Sequence, residues 1–333
     1  MIEKYILPSI TGRGLGVGLL LLAFILGACS NDDEQVPQQP NSYPLTIEVT
    51  ENPMVQDGEE GSNSNRAAIT TTTSLDAFNL NYVYGTAMPG STSAQRDEVS
   101  GKWKEKGEAG WPGDAYSSDA DVTWYAWRAS NNDAFHPTSE ESASLAPYIR
   151  FSVEEASAHQ NDLLVAKTTK KWTECSGLLS FTFDHACSAI RLYVKKATNI
   201  NTHTLLISNI VLHNVVKEGK YRYNSNDWEL TGTSTNYTLF SGSNVPLNSD
   251  YQLLNGSEDD SYLFLIPQAL SAWNPTGALS NTYLELTCSI DGAGSQTAYV
   301  PFGATFAAGK KYDVKINIGK NSLYSGPNTK IID

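Results

Sequence analysis

The stretch DLLVAKTTKKWTECSGLLSFTFDHACSAIRLYVKK, residues 162–196, decides the fold class. Leu178 to Phe183 (LLSFTF) and Ala189 to Val194 (AIRLYV) each set apolar side chains at alternate positions over a short run. That is the period of a half-buried strand. His185 stands where the first strand turns into the second, and Trp172 to Gly177 ahead of them marks a junction between domains.

The same texture extends both ways. Phe78 to Tyr84, Val122 to Trp127 and Tyr148 to Val153 precede it. Leu205 to Val216, Tyr221 to Tyr223, Tyr262 to Ile266, Tyr283 to Ile290, Ala298 to Phe302 and Tyr312 to Ile318 follow. These runs are rich in Tyr, Trp, Val, Ile and Thr, and no helical period of useful length occurs beyond Arg66. Many short strands separated by Gly, Ser, Asn and Pro turns predict an all-β protein of sandwich architecture. The length suits two sandwiches, residues 43–175 and 176–333. Thr86 to Asp121, rich in Gly, Ser and charge, reads as a hairpin inside long surface loops.

At the N-terminus Lys4 and Arg13 precede an apolar run from Leu15 to Ala28. A membrane-spanning helix needs about 20 predominantly apolar residues, so this run is too short and reads as a secretory signal. It ends Leu26-Gly27-Ala28-Cys29, which resembles the lipobox of bacterial lipoproteins. The resemblance implies that residues 1–28 are removed and that Cys29 carries a lipid anchoring the chain to a membrane. Residues 29–42 are polar and proline-bearing, the composition of a disordered tether. Next comes Tyr43 to Thr50 (YPLTIEVT), where Leu45, Ile47 and Val49 alternate with Thr46, Glu48 and Thr50 as in a strand. Glu51 to Asn65 then reads as a loop, with Arg66 at its far end.

The full chain has a net charge of −13, and loss of Glu3, Lys4 and Arg13 with the signal leaves −14. So acidic a chain repels nucleic acid, which is excluded as a partner. Cys175, Cys187 and Cys288 follow Cys29, an odd set that forms no disulfide framework. A Cys175–Cys187 bridge and buried free thiols are both open readings.

No catalytic constellation emerges, and neither a metal nor a cofactor is expected. His136, His159, His185, His203 and His213 form no zinc-binding pair, and there is no G-x-S-x-G elbow and no P-loop. His185 beside Asp184 or Cys187 reads as a packed turn histidine. Trp124 and Trp127, three apart, face opposite sides of a strand, so one at least belongs to the core. Trp103 and Trp111 fall in the expected loops. If exposed, they would support an alternative, a monomeric surface glycan-binding lipoprotein.

Taken together, the motifs resemble those of the fimbrillin family, the pilin-like lipoproteins of Bacteroidales surface fimbriae. The central stretch carries Asp162, Leu163 and Ala166 before a strand, then Phe183-x-His185 and an alternating strand. NVVKEGKYRYNSNDWELTG (Asn214 to Gly232), YLFLIPQAL (Tyr262 to Leu270) and FAAGKKYDVKINIG (Phe306 to Gly319) continue the pattern in order. The resemblance implies two tandem transthyretin-like β-sandwich domains in a non-enzymatic fimbrial subunit displayed at the cell surface. It also implies that an arginine-specific protease cuts after Arg66 and removes the strand bearing Leu45, Ile47 and Val49. The vacated groove would then take a strand from another fimbrial subunit. The tail Lys320 to Asp333, with Leu323, Tyr324, Ile331 and Ile332, is the candidate donor, back-pairing of that tail being the alternative.

Overall fold

The protein is described here from a computed structural model. It describes residues 42–56, 75–85, 92–107, 110–129, 135–138, 145–154, 160, 162–255, 262–320, 322–326 and 329–330. These form one all-β unit with two short α-helices, Gly113–Ser118 and Trp172–Cys175.

Seven strands close into a barrel through the order Leu164–Lys170, Leu178–His185, Thr46–Glu51, Trp103–Glu105, Thr92–Arg96, Ala77–Val83, Val122–Arg128 and back to the first. Neighbours pair antiparallel except Thr46–Glu51 with Leu178–His185, which run parallel. The alternation along Leu178–His185 puts Leu179, Phe181 and Phe183 inside the barrel and leaves Ser180, Thr182 and Asp184 outside. Phe78 meets Phe181 and Phe183 edge-on there, at centroid distances of 5.8 and 5.0 Å.

A second set of sheets surrounds a larger cluster. Ser188–Lys196 and Lys310–Ile318 pair in parallel. Leu205–Val215, flanked by Thr235–Pro246 and Tyr283–Ile290, supplies the antiparallel sheet. Ile190, Leu192, Val194 and Ile318 from the first meet Ile207, Ile210, Leu212 and Leu286 from the second in one core. A four-stranded sheet, Asp227–Leu230, Glu218–Arg222, Leu145–Ser152 and Phe135–Thr138, adds Ile149, Phe151 and Tyr221 to it.

The barrel wall is shared. Val122, Trp124 and Ala126 face the barrel interior, whereas Tyr125 and Trp127 on the same strand belong to the second cluster. Leu164 and Ala166 likewise point inward and Leu163 and Val165 outward. Val122–Arg128 is buried on both faces along most of its length and reads as a nearly continuous apolar run, whereas the other strand is so only over Leu164 to Ala166.

Thr92–Arg96 and Trp103–Glu105 form the hairpin expected between Thr86 and Asp121. The remainder departs from a surface loop, because Trp111 is fully buried against Trp124 and Trp172, with ring centroids 6.2 and 5.7 Å away.

Candidate functional site: the seat of the first strand

The segment Ser42–Gln56 touches both clusters. Ser42–Tyr43 pairs with Trp111–Pro112, and the Tyr43 ring stacks on Tyr116 at 4.0 Å. Two glycines make room for its backbone. Gly177 and Gly110 have φ of +83° and +49°, and a Cβ on them would stand 2.8 Å from the Pro44 carbonyl and 2.7 Å from that of Tyr43. Only glycine combines a left-handed backbone with so close an approach. The Gly177 carbonyl then accepts the Thr46 N–H at 2.9 Å, starting the ladder.

Along Thr46–Glu51 the predicted alternation holds. Ile47 is buried and Leu45 and Val49 are half-buried against the barrel cluster, while Thr46, Glu48 and Thr50 are exposed. Full burial of one such side chain contributes roughly 1.5–3 kcal/mol, so Ile47 dominates the apolar grip. Attachment is uneven. Six consecutive positions, Thr46 to Glu51, face Leu178 to Phe183 on one side. On the other side the pairing is Ile47 with Trp103 alone.

The residues after Glu51, expected as a loop, are partly docked. The Asn52 N–H donates to the Phe183 carbonyl at 2.8 Å, and Asn52 Nδ2 donates to Asp184 Oδ1 at 2.7 Å. Met54 is buried in the second cluster. Val55–Gln56 adds a strand to the edge of Lys310–Ile318, with the Val55 N–H donating to the Gly309 carbonyl at 2.9 Å. Pro53 interrupts the alternation and a single Met54 makes no pattern, so local sequence carried no signal of this docking.

Where the segment passes between clusters lies a cavity of about 280 Å³, lined by Asn52, Pro53, Asp184, His185, Ala186, Tyr221, Asn226, Ala308 and Gly309. His185, like Tyr221, is a buried titratable group there. Its Nδ1 bonds Asp162 Oδ2, whose carboxylate also accepts the Cys187 N–H at 3.2 Å. Its Nε2 stands 3.1 Å from Glu51 Oε1 on the first strand. Burial alone would depress the His185 pKa, but the Asp162 hydrogen bond and the charges of Asp162 and Glu51 outweigh it and hold it up at about 9. Asp162, distant in sequence, is the partner, rather than the adjacent Asp184 or Cys187. The imidazolium thus stands between two carboxylates.

The other predicted positions fall elsewhere. Leu323 is fully buried in the second cluster, and Tyr324 pairs with Tyr299 at the sheet edge, where Tyr324–Gly326 turns back onto Thr329–Lys330. This is the back-paired arrangement. Cys29, Arg66, Ile331 and Ile332 lie outside the described residues. Trp103 is half-buried against Phe78 at 5.0 Å, and with Trp111 enclosed the two do not form an exposed pair for a sugar ring. Cys175, Cys187 and Cys288 are free thiols, so the Cys175–Cys187 bridge is not formed. Among the described residues no group of three or more His, Cys, Asp or Glu side chains is arranged to hold a metal ion. No helix among them is long and apolar enough to cross a membrane.

A family model described as fimbrillin-like matches residues 64–333. The fold is similar to that of a fimbrial protein from Bacteroides vulgatus, at 16% identity over 83% of this chain and 96% of that one, with a TM-score of 0.52. A candidate cell adhesion protein from Parabacteroides distasonis is also similar, at 9% identity over 85% of this chain and 90% of that one, with a TM-score of 0.50. Among curated proteins none matches significantly.

Proposed function

The chain belongs to the fimbrillin-like family, and on that premise we propose that it is a structural or accessory fimbrial subunit that assembles by exchanging its first strand. The observation that carries this reading is the uneven hold on Thr46–Glu51, six paired positions on one side and one on the other. Withdrawing the strand parts the barrel at its thinnest seam. It leaves a row of unpaired N–H and C=O groups along Leu178–His185 and an apolar slot where Ile47 sat. An extended segment from another subunit satisfies both.

In this reading the precursor is exported, lipidated at Cys29 and displayed on the outer membrane, and an arginine-specific protease cuts after Arg66. The match to the family model begins at residue 64, so it leaves the first strand outside the matched region. After the cut, Ser42–Gln56 is held only by non-covalent contacts, and dilution favours its loss. The donor is the tail with Leu323, Tyr324, Ile331 and Ile332, in which Tyr324–Gly326 and Thr329–Lys330 give up their pairing at the sheet edge. Polymers so formed serve adhesion and biofilm formation, with no catalytic step. The two-domain description, 43–175 and 176–333 as transthyretin-like sandwiches, belongs to the same proposal. Leu178–His185 then lies in the second domain by sequence and packs with the first.

The test is digestion of the mature chain with an arginine-specific protease, followed by native gels and N-terminal sequencing. Cleavage after Arg66 with a ladder of oligomers is the expected result. Clean cleavage that leaves only monomers overturns strand exchange.

A further inference from the structure

Leu45, Ile47, Val49 and Glu51 share one face of the first strand. Three of the four are apolar, and the fourth is a carboxylate aimed at His185 at 3.1 Å. Resting on the strand-exchange reading above, we propose that His185 sets the specificity of the groove. The strand that fills it must carry a carboxylate two positions beyond its last inward-facing apolar side chain. The occupant is thus an extended segment of a neighbouring subunit that places an acid two positions beyond its last inward-facing apolar side chain, a spacing the tail offers in Ile331 and Asp333.

Without its strand the groove holds a buried cation short of one counter-charge. His185 is 6% exposed, and its Nδ1 is committed to Asp162. In the imidazolium both ring nitrogens carry a proton, so the Nε2 side needs a negative counterpart. Glu51 stands 3.1 Å from Nε2 as an ion-pair partner without an aligned hydrogen bond, and withdrawing the strand leaves the ring beside the cavity with its charge balanced on one side only. An incoming Gln offers an acceptor without charge, an apolar residue offers nothing, and a Lys or Arg repels the ring. The titratable groups sharing this site are Asp162, Glu51, Asp184 and Tyr221. Asp184 is engaged by Asn52, and burial together with the nearby Asp184 and Asp227 charges pushes Tyr221 up to about 12. Between pH 7 and 10 His185 is therefore the group whose charge changes. The apolar slots admit many strands, whereas the carboxylate position rejects those with the wrong fourth residue.

The full chain, with one engineered protease site between Gln56 and Arg66, is cleaved and refolded from denaturant. Two synthetic peptides of residues 42–56, one native and one Glu51→Gln, are present in equal amounts. Mass spectrometry of the refolded complex counts each. Loss of the ion pair at a partly exposed position predicts about a fivefold preference for the native peptide at pH 7. The preference is expected to shrink as the pH passes about 9, where the ring loses its charge. Equal incorporation at pH 7 overturns the specificity role while leaving strand exchange standing. If neither peptide enters, strand exchange fails and this inference falls with it.

Discussion

Trp124 and Trp127 stand three positions apart on one strand and are buried in two different hydrophobic clusters. Trp124 packs inside the barrel against Tyr82 at 4.7 Å, and Trp127 stacks outside on Phe135 at 5.0 Å. One strand therefore ties the two cores together. Trp124→Ala and Trp127→Ala are each expected to cost about 3–5 kcal/mol through the cavity left behind. Because the side chains lie in different clusters, the double variant should show the sum to within about 0.5 kcal/mol. Urea denaturation of the three variants measures this, and strong non-additivity would show that the wall transmits strain between the clusters.

The grip on the first strand should rest mainly on one side chain. Ile47 is 4% exposed, whereas Leu45 and Val49 are half-buried. Ile47→Ala is expected to destabilise the uncleaved chain by about 2–4 kcal/mol, and Leu45→Ala or Val49→Ala by about half as much. After cleavage, the same variants should release the segment in that order of ease. Gel filtration of the nicked chain, followed by mass spectrometry of the retained peptide, reads the order directly.

Elements whose period is simple were legible. The run LLSFTF keeps strict alternation and becomes the strand Leu178–His185, and Tyr283 to Ile290 holds to the residue. Thr235–Pro246 was missed because it contains Gly242, Asn244 and Pro246, turn residues, and because its pairing with Leu205–Val215 slips register three times. Such bulges break the two-residue period. Leu164–Lys170 (LVAKTTK) is buried on both faces only at its start and then runs into exposed polar positions, so neither strand pattern is complete. At the site, the apolar face of the first strand could be read from spacing alone. Asp162, Glu51 and His185 could not be joined by reading, since Glu51 and His185 meet through a parallel pairing that no local pattern encodes.

Thiol chemistry offers an inexpensive check of the packing. Cys187 and Cys288 are buried and Cys175 is partly exposed. Burial pushes the Cys288 thiol up to about 11, so little thiolate exists at neutral pH. A chain with Cys29 replaced by Ser should therefore show one readily reacting thiol under native conditions and three after denaturation. Reaction of two thiols in the native state would place Cys187 or Cys288 in a mobile region. A loss of two mass units would reveal the Cys175–Cys187 bridge that the packing leaves unformed.

Stability should depend on pH through His185. Burial lowers its pKa, and the Asp162 bond and the charges of Asp162 and Glu51 raise it further than that, to a folded value of about 9 against the ordinary 6.5 of a histidine. A folded pKa above the unfolded one means that the native state holds the proton more tightly. The associated stabilisation is fully present below about pH 6.5 and is lost as the pH rises through about 9. A shift of this size corresponds to about 3 kcal/mol as an order of magnitude. Denaturation midpoints between pH 6.5 and 9.5 should accordingly fall for the native chain. They should fall less for Glu51→Gln, which keeps the Asp162 bond and loses the second carboxylate. If the native chain and Glu51→Gln show the same slope, the 3.1 Å contact contributes nothing to the hold on the first strand. The clamp would then reside in Asp162 alone, and the strand would be held by Ile47 and its ladder without help from charge.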